Sequence, residues 1–474
     1  MNGAYRPRKR KKQKSMMPFY CFVLVWLFIL CVIFIVAHIK KNQDSDSDRG
    51  SVESTEGVTS GQAVSSNTAG ITEPAGSTSG GGNDEPAPVT YTEATILSAG
   101  DIIAHMAQIK YASAVGTGDS YDFSNSFKYV KDIVSSADCA VANFETTLAG
   151  PSVEYSGFPS FNAPDELLDA AKGAGFDMML FANNHCYDTN LAGLLRTQEQ
   201  IEAHGLSYIG AKKQPTDKAY TVVEINGIKI GMFNYADDLS GGNTERRTIN
   251  GKAIKDGELG YMNLYNLSLL DELYSEVEDV ISAMRSEGAD IIIAYMHWGS
   301  EYHIEHNRYQ TTVAQALCDR GVDVIIGGHP HVIQEAEVLT SANDADHRTL
   351  CYYSLGNFVS NQNRRTLGDV QNSNYTEAGL MVTLTIRKYS TGETLVTKAE
   401  SIPTFVHRYN TDKGYAHEIV PLADALADPS KFGLDASSYG KKEAGEMYDL
   451  EVALLGDVVE AFNNSVVLPV SAEE

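Results

Sequence analysis

The chain has little positive charge, little cysteine and no phosphate-binding loop. Lysine and arginine number 37 against 62 aspartates and glutamates, and nine of the basic residues lie in the first 41 positions. The rest of the chain is therefore strongly acidic, which argues against nucleic-acid binding because that requires basic side chains opposite the phosphates. A polyanionic substrate could be held only by local positive charge, such as a bound metal ion.

The six cysteines include no C-x-x-C pair. Cys21 and Cys31 fall in an N-terminal apolar run. The others are widely spaced, at Cys139, Cys186, Cys318 and Cys351. Nothing in that spacing requires disulfides, although a location outside the cytoplasm would permit them. The sequence also lacks the G-x-x-x-x-G-K-[ST] signature, so this chain cannot itself drive an ATP-dependent ligation.

The N-terminal residues predict a membrane anchor. Seven basic residues precede an uncharged run at 16–37. As a helix that run would extend roughly 33 Å, against about 30 Å for a bilayer core. No small-residue cleavage site ends the run, which disfavours a signal peptide, and the flanking charges disfavour a buried core helix. The charge bias places residues 1–15 in the cytoplasm as a basic tail, so we expect a single-pass plasma-membrane protein whose folded domain lies outside.

Residues 42–90 predict a flexible linker, because they are rich in Ser, Gly and Thr and have almost no large apolar side chains to bury. From 91 to 402, strand-like apolar runs alternate with amphipathic helical segments, which predicts an α/β domain. The pattern weakens after that point. Residues 403–474 are therefore predicted to form a partly helical C-terminal extension.

Polar residues follow the predicted strands of the α/β domain. Near 325–332, an apolar run ends in two glycines and is followed by His329 and His331. The other strand ends carry Asp101, Asn143 with Glu145, Asn184 with His185, and His297. Parallel strands put such ends at one edge of a sheet, so these distant residues are expected to converge. Each alone could be a turn residue or a hydrogen-bonded core residue, but their shared placement favours a site.

This set of side chains predicts a metal centre. Carboxylate, carboxamide and imidazole ligands without a thiolate suit Mn, Fe or Zn, with Mg as an alternative. Glu145 or Asp101 could bridge two ions, which together activate a water molecule and stabilise an oxyanion. His185, if left unligated, could protonate a leaving group. The expected chemistry is metal-assisted hydrolysis or group transfer, at phosphorus or at an amide carbonyl.

Six motifs, in order between about residues 93 and 360, resemble those of the capsule-synthesis CapA family. That family is associated with poly-γ-glutamate synthesis and export and is related to the calcineurin-like metallophosphatases. The motifs are Gly100-Asp101 with His105, Asn143-Phe144-Glu145, Ala182-Asn183-Asn184-His185 with Asp188, His297-Trp298-Gly299 with Glu301-Tyr302, Gly327-Gly328-His329-Pro330-His331, and Ser354-Leu355-Gly356-Asn357-Phe358. The resemblance implies an α/β fold, a four-layer α-β-β-α metallophosphatase-like sandwich.

The resemblance also implies a role for each matched position. The implied metal ligands are Asp101, Glu145, Asn184, His297, His329 and His331. His185 matches the proton-donating residue, and we expect Asp188 to orient its ring. The first motif departs from the metallophosphatase pattern because Ile103 stands where those enzymes have His; His105 could supply that imidazole or contact substrate. Glu145 also replaces the usual bridging Asp.

Four further residues are candidate substrate contacts: Asn143, Glu301, Tyr302 and Asn357. Glu301 and Tyr302 could equally satisfy the local backbone, and Asn357 could cap a turn. Three functions remain open at this point. The chain could be a metal-dependent hydrolase or transferase on a cell-surface polymer such as poly-γ-glutamate, or a non-catalytic subunit beside membrane synthase and export subunits. The third alternative is a metallophosphoesterase unrelated to capsule.

Overall fold

The computed structural model describes residues 88–434 and 440–469, all within one compact unit, Asp84–Glu474. The predicted basic tail at 1–15, the membrane span at 16–37 and most of the linker at 42–90 lie outside these residues. Within the described ranges, no helix is both long enough and apolar enough to cross a membrane.

Strands and helices alternate through most of the described chain. The strands are β1 Tyr91–Ile102, β2 Cys139–Phe144, β3 Met178–Leu180, β4 Ser207–Ile209, β5 Tyr220–Ile225, β6 Ile228–Asp237, β7 Thr248–Ile249, β8 Lys252–Ala253, β9 Leu264–Tyr265, β10 Ile291–His297, β11 Val324–Gly328, β12 Ala336–Thr340, β13 Arg348–Tyr352, β14 Asn357–Val359, β15 Ala378–Tyr389, β16 Thr394–Thr411 and β17 Gly414–Pro421. The helices are α1 Met106–Val115, α2 Lys131–Val134, α3 Glu166–Ala174, α4 Asn190–Ala203, α5 Leu270–Ser286, α6 Arg308–Cys318, α7 Leu422–Ala427, α8 Lys441–Leu455 and α9 Val458–Ser465.

Two large sheets contain nearly all of the strands. The first has the order β17-β16-β15-β1-β2-β3-β4, with β14 also paired to β1. The second has the order β12-β13-β11-β10-β6-β5, with β9 paired to β6. Each sheet contains a run of neighbouring parallel strands, namely β1 to β4 in the first and β6, β10, β11 and β13 in the second. Parallel strands must be joined by crossovers, and helices supply most of them.

Alternate residues of the central strands pack into different apolar layers. Ile96 of β1 and Ile293 of β10 belong to a core between the two sheets. Leu97 instead packs in a second core with helical residues such as Leu168 of α3, and Ile292 packs in a third with Val277 of α5. Since a strand buried on both faces needs apolar side chains on both, the continuous apolar runs are explained. The layers are therefore helices, sheet, sheet and helices, and the predicted mixed α/β fold is confirmed.

The predicted boundary at residue 402 is wrong, because β16 runs through it from Thr394 to Thr411. β17 then pairs with β16 and adds an edge strand to the first sheet. The helices that follow contribute Met447 and Phe462 to the core between the sheets. Gly456, with a φ of 50°, ends α8 and separates it from α9. The described residues 403–434 and 440–469 are thus part of the domain.

The backbone of β1 approaches another segment closely just before Asp101. The Asp101 amide donates a hydrogen bond of 3.0 Å to the Gly356 carbonyl. A Cβ atom on Gly100 would lie 2.0 Å from that same Gly356 oxygen. Only glycine permits this approach, and the approach fixes the position of Asp101.

We predict that Gly100→Ala lowers the free energy of unfolding of the full chain by about 3 kcal/mol or more, because one of the two backbones must shift. Urea unfolding followed by tryptophan fluorescence measures this change. Gly173→Ala is the matched control, since Gly173 lies in α3 with open space around its Cβ position. The control is expected to be neutral or to stabilise by about 1 kcal/mol. A Gly100→Ala protein as stable as this control would contradict the account.

Candidate metal centre

The carboxyl ends of five parallel strands meet at one edge of the two sheets. Asp101 lies near the end of β1 and Glu145 directly follows β2. Asn184 and His185 come shortly after β3, and His297 ends β10. The pair His329 and His331 follows β11. All of these side chains are buried, so the structure brings together the residues that the sequence placed at separate strand ends.

Two buried carboxylates form the acidic part of the site. The Asn143 Nδ2 atom donates to Asp101 Oδ1 at 2.7 Å and to Glu145 Oε2 at 3.0 Å. The other oxygen, Glu145 Oε1, is buried and has no hydrogen-bond partner among the described residues. Burial, and then the charge of Asp101, raise the pKa of Glu145 well above its usual value. Like charges held this close are unfavourable unless a proton or a cation compensates them.

Three imidazoles surround the carboxylates. His331 Nδ1 lies 3.1 Å from Asp101 Oδ2, and its Nε2 lies 3.7 Å from Glu145 Oε1. The His329 and His297 ring centroids are 4.8 Å apart. Burial, reinforced by neighbouring histidines, lowers the pKa of His329 to about 3 and that of His297 well below its usual value. Both rings are therefore neutral at pH 7, which is the state that a metal ligand requires.

The donor atoms suit a divalent metal ion. Asp101, Glu145 and His297 each offer one ligand atom, and these atoms all lie within 4.8 Å of one another. His297 Nε2 also lies 2.8 Å from Asn184 Oδ1. Two buried atoms, Glu145 Oε1 and His329 Nδ1, have no hydrogen-bond partner among the described residues. Each could offer a lone pair to a bound cation. The residues present therefore fit an oxygen- and nitrogen-liganded metal, although its identity and number do not follow from the geometry.

The loop after β11 has a strained backbone. His329 has a φ of 98° and His331 a φ of 59°, a region that residues other than glycine seldom adopt. Such strain persists where the surrounding structure over-determines it, and it concentrates at functional sites. Gly328 also contributes, because a Cβ atom there would lie 3.1 Å from Asp101 Oδ1. The loop is thus shaped so that the His331 imidazole reaches both Asp101 and Glu145, while the His329 ring packs beside that of His297.

His185 lies beside this cluster and is oriented by Asp188. Its Nδ1 atom is 2.7 Å from Asp188 Oδ2, and its Nε2 atom is 3.9 Å from Glu145 Oε1. The edge-on Phe161 ring, with centroids 4.6 Å apart, packs against the imidazole. The phenyl ring and the carboxylate together fix the direction of the ring. This geometry suits a proton donor or acceptor at Nε2.

Two of the expected substrate contacts make hydrogen bonds within the protein, and their contact with substrate stays a prediction. Asn143 is buried, its amide nitrogen is engaged by the two carboxylates, and its oxygen accepts from Asn183 at 3.1 Å. Asn357 is fully buried and donates to Gln362 at 2.9 Å and to the Thr376 carbonyl at 3.0 Å. Asn143 therefore bridges the carboxylates, and Asn357 anchors the loop that follows β14.

The other two expected contacts lie at the rim. Glu301 is exposed and Tyr302 is half-buried, with the Tyr302 ring centroid 6.1 Å from that of His331. Their contact with substrate stays a prediction. His105 is half-buried and does not belong to the group of Asp101, Glu145 and His297. Its Nε2 atom is 3.2 Å from Ser360 Oγ. Burial, with the nearby His331 and His185, lowers its pKa to about 3. A role for His105 as a ligand also stays a prediction.

Two residues of the site were given no role by the sequence. Asn183 donates to Asn143 and to the Phe144 carbonyl, and it accepts from the His185 amide at 3.1 Å, so it connects two strand ends. Asn250 places its amide nitrogen 3.1 Å from Asp188 Oδ1. An Asn-Gly pair predicts the hairpin that carries Asn250. No local sequence pattern, however, predicts that this hairpin contacts Asp188, which lies more than 60 positions away in the chain.

We predict that the affinity for divalent metal ions continues to rise with pH at pH values well above 4.5, which is the ordinary pKa of a glutamate side chain. The reason is that a raised pKa keeps a proton on Glu145, and that proton must leave before the carboxylate can bind a cation. Calorimetric titration of the full chain with Zn or Mn from pH 5 to 8 measures this dependence. Glu145→Gln binds more weakly and shows a flatter pH profile. A steep profile retained in Glu145→Gln would contradict the assignment.

Comparison with known proteins supports a capsule-related family. The family described as "Bacterial capsule synthesis protein PGA_cap" matches residues 95–362, more than half of the chain. "Capsule biosynthesis protein CapA" of Bacillus anthracis is 28% identical over 284 residues, which cover 58% of this chain and 62% of that protein. "PGA biosynthesis protein CapA" of Bacillus subtilis (strain 168) is 26% identical over 283 residues, 59% of this chain and 67% of that protein.

A solved structure, the calcineurin-like phosphoesterase YfkN from Bacillus subtilis, aligns with 16% identity and a TM-score of 0.36 over 66% of this chain and 91% of that one. A similarity this low supports no functional conclusion. The chain matches less than two thirds of the length of the Bacillus anthracis relative. The family match is nevertheless broad, and it spans every residue of the metal centre. The chain belongs to the bacterial capsule synthesis protein family PGA_cap.

Proposed function

We propose that this protein is a membrane-anchored, metal-dependent hydrolase or transferase that acts outside the cytoplasm on a cell-surface polymer. The observation that carries the proposal is the cluster of Asp101, Glu145 and His297 with the His185–Asp188 pair beside it. A structural metal site would need only the ligands. A buried imidazole that is held by a carboxylate and directed at the ligand cluster is instead the arrangement of a proton-transfer group.

The proposed ligands lie around the two carboxylates, Asp101 and Glu145. We propose that two divalent ions, of Mn, Fe, Zn or Mg, are held by Asp101, Glu145, Asn184, His297, His329 and His331. Bound there, the metal would supply an activated water molecule and electrostatic stabilisation of a developing oxyanion. Burial makes each of these interactions stronger than it would be in water.

The chain's own residues supply the remaining chemistry. His185 Nε2 faces Glu145, and from that position it would donate a proton to the oxygen or nitrogen of the leaving group. Asp188 keeps the opposite nitrogen, Nδ1, occupied and stabilises the charged ring. At the rim, Glu301 and Tyr302 are placed to meet the substrate. The bond that breaks is a phosphoester or an amide.

An anionic polymer, with poly-γ-glutamate foremost, is the proposed substrate. The support comes from the family match and from two relatives whose names refer to capsule and PGA biosynthesis. The chain itself is acidic, with a net charge of −25. Long-range electrostatic repulsion therefore opposes binding of such a polymer, and the positive charge of a metal bound at the site would be the main attractive feature.

We also propose that residues 16–37 anchor the protein in the plasma membrane, with the N-terminus in the cytoplasm. The apolar run and the basic residues before it support this proposal. Changing Leu24, Leu27 and Leu30 to Arg introduces charges that are costly at the centre of a bilayer. The full chain is then expected to leave the membrane fraction. A variant that remains membrane-bound after a carbonate wash would contradict the anchor.

A second function is favoured by one observation, the missing ATP-binding signature. Polymer synthesis requires an energy source, so this chain would have to work beside membrane synthase or export subunits. In that arrangement the metal centre would bind and guide the polymer without turnover. The two functions differ in what they require of His185, because guiding a polymer needs the metal ligands but no proton donor.

We predict that His185→Gln lowers kcat for cleavage of poly-γ-glutamate or phosphodiesters by about 100-fold or more, because a positioned proton donor contributes about that factor. Metal content and unfolding free energy should stay close to wild type. His204→Gln is the control, since that half-buried imidazole bonds within its own helix to the Gln200 carbonyl. Wild-type polymer output in cells that carry only His185→Gln would instead support the guiding function.

A further inference from the structure

The hairpin formed by β7 and β8, residues 248–253, lies against the proton-transfer pair. Its turn is Asn250-Gly251, and both residues have positive φ, 48° and 69°. Asn-Gly with two left-handed residues is the usual choice for a tight two-residue turn. Turns of this kind normally point into solvent. Here the Asn250 side chain is half-buried and reaches the His185–Asp188 pair.

The Asn250 amide nitrogen has three close neighbours. It lies 3.1 Å from Asp188 Oδ1, 3.0 Å from the Pro159 carbonyl oxygen and 3.1 Å from His185 Nδ1. An amide nitrogen carries only two hydrogens, so it can satisfy only two of the three. His185 Nδ1 is itself 2.7 Å from Asp188 Oδ2, and a carboxylate can only accept. The Nδ1 atom must therefore carry a hydrogen, and the two Asn250 hydrogens go to Asp188 and Pro159.

Both oxygens of Asp188 are then fully engaged. Oδ2 accepts from His185 and from the Phe161 amide at 2.6 Å, while Oδ1 accepts from Asn250. The hairpin has a second attachment, because Lys252 Nζ donates to the Asp188 main-chain carbonyl. Asp188 is thus held through its side chain and its backbone by one short hairpin. A carboxylate held in this way cannot rotate to release His185 or to accept from a different atom.

We propose that Asn250 is a positioning residue that acts through Asp188 to fix the tautomer and direction of the His185 ring. With the hydrogen held on Nδ1, Nε2 is the nitrogen that faces Glu145 and exchanges a proton with the reacting group. Asn250 also connects this pair to the 150–162 loop through the Pro159 carbonyl. The inference rests on the proposed function only in its kinetic consequence, because the tautomer is a property of the protein itself.

Two substitutions separate this role from a general effect on the fold. Asn250→Gly removes the amide and keeps the turn, because glycine adopts a φ of 48° without strain. Asn250→Asp keeps the shape of the side chain but places a second carboxylate opposite Asp188. Asn226→Gly is the matched control: Asn226 is also left-handed, with a φ of 53°, in the tight turn that joins β5 to β6. Its amide donates to the Glu93 carbonyl at the end of β6 remote from the site.

The first readout needs no activity. Long-range ¹H–¹⁵N spectra of the detergent-solubilised, metal-free full chain with ¹⁵N-labelled histidine report which ring nitrogen carries hydrogen, and His185→Gln assigns the His185 signals. Wild type and Asn226→Gly are expected to show the Nδ1–H form. In Asn250→Gly, the Nδ1 and Nε2 shifts are expected to move toward each other as the two tautomers mix, whereas Asn250→Asp, which adds a second acceptor near Nδ1, is expected to keep the hydrogen on Nδ1. An unchanged Nδ1–H pattern in Asn250→Gly would overturn the proposal.

The second readout is kinetic. Asn250→Gly is expected to lower kcat about 10-fold for phosphodiesters with an alkyl alcohol leaving group, with KM nearly unchanged. For 4-nitrophenyl phosphodiesters, whose leaving group departs as the phenolate and needs no proton donor, the loss in kcat should be less than about twofold. Equal losses for both leaving groups would overturn a role through His185. If wild type turns over neither substrate, the proposed hydrolase function fails, while the spectra still decide the role of Asn250.

Discussion

The close approach of two buried carboxylates, Asp101 and Glu145, is the constraint on which the rest of the site depends. Neither is exposed, and each reaches the Asn143 amide within hydrogen-bond distance. Buried like charges are costly, and the raised pKa of Glu145 expresses that cost. Burial lowers the pKa values of His297 and His329, so these two imidazoles are neutral and cannot compensate the charge. A bound cation would relieve the repulsion, satisfy the unpartnered oxygen of Glu145 and give the neutral rings a partner. These features together indicate a candidate binding site for a metal ion.

The fold creates this constraint through the parallel strands of its two sheets. Their carboxyl ends share one edge, so side chains that are 230 positions apart in the chain, such as Asp101 and His331, come within 3.1 Å. Glycines make the final approach: Gly100 lets β1 contact the Gly356 carbonyl. The left-handed backbone at His329 and His331 is a local cost that the packed sheets absorb. Residues that come from loops, such as Asn250, then adjust the proton-transfer pair without belonging to the ligand set.

The sequence was sufficient to predict the central part of the fold and the convergence of the candidate ligands at one edge of the sheets. Apolar runs such as Val324–Ile326 have strong strand character, and a polar residue after each run is a signal that survives without any structure. The internal hydrogen bonds of Asn143 and Asn357 were not predicted, because a side-chain amide can serve substrate or protein and only its neighbours show which bonds it makes. The boundary at 402 failed since β16 is largely half-buried and lacks a clean alternation of apolar residues. The hairpin at 248–253 could be read as a turn, but its place against Asp188 depends on long-range packing.

Metal content tests the central claim most directly. Plasma mass spectrometry on the purified full chain, beside the double variant His329→Ala/His331→Ala, counts bound metal without assuming any substrate. The account predicts close to two equivalents of a divalent transition metal in the wild type and a clear loss in the double variant, with both proteins folded. A well-folded wild-type protein that holds no metal, even after incubation with Mn or Zn, would contradict it. The carboxylates would then share a proton, and the protein would be a binding subunit built on this fold.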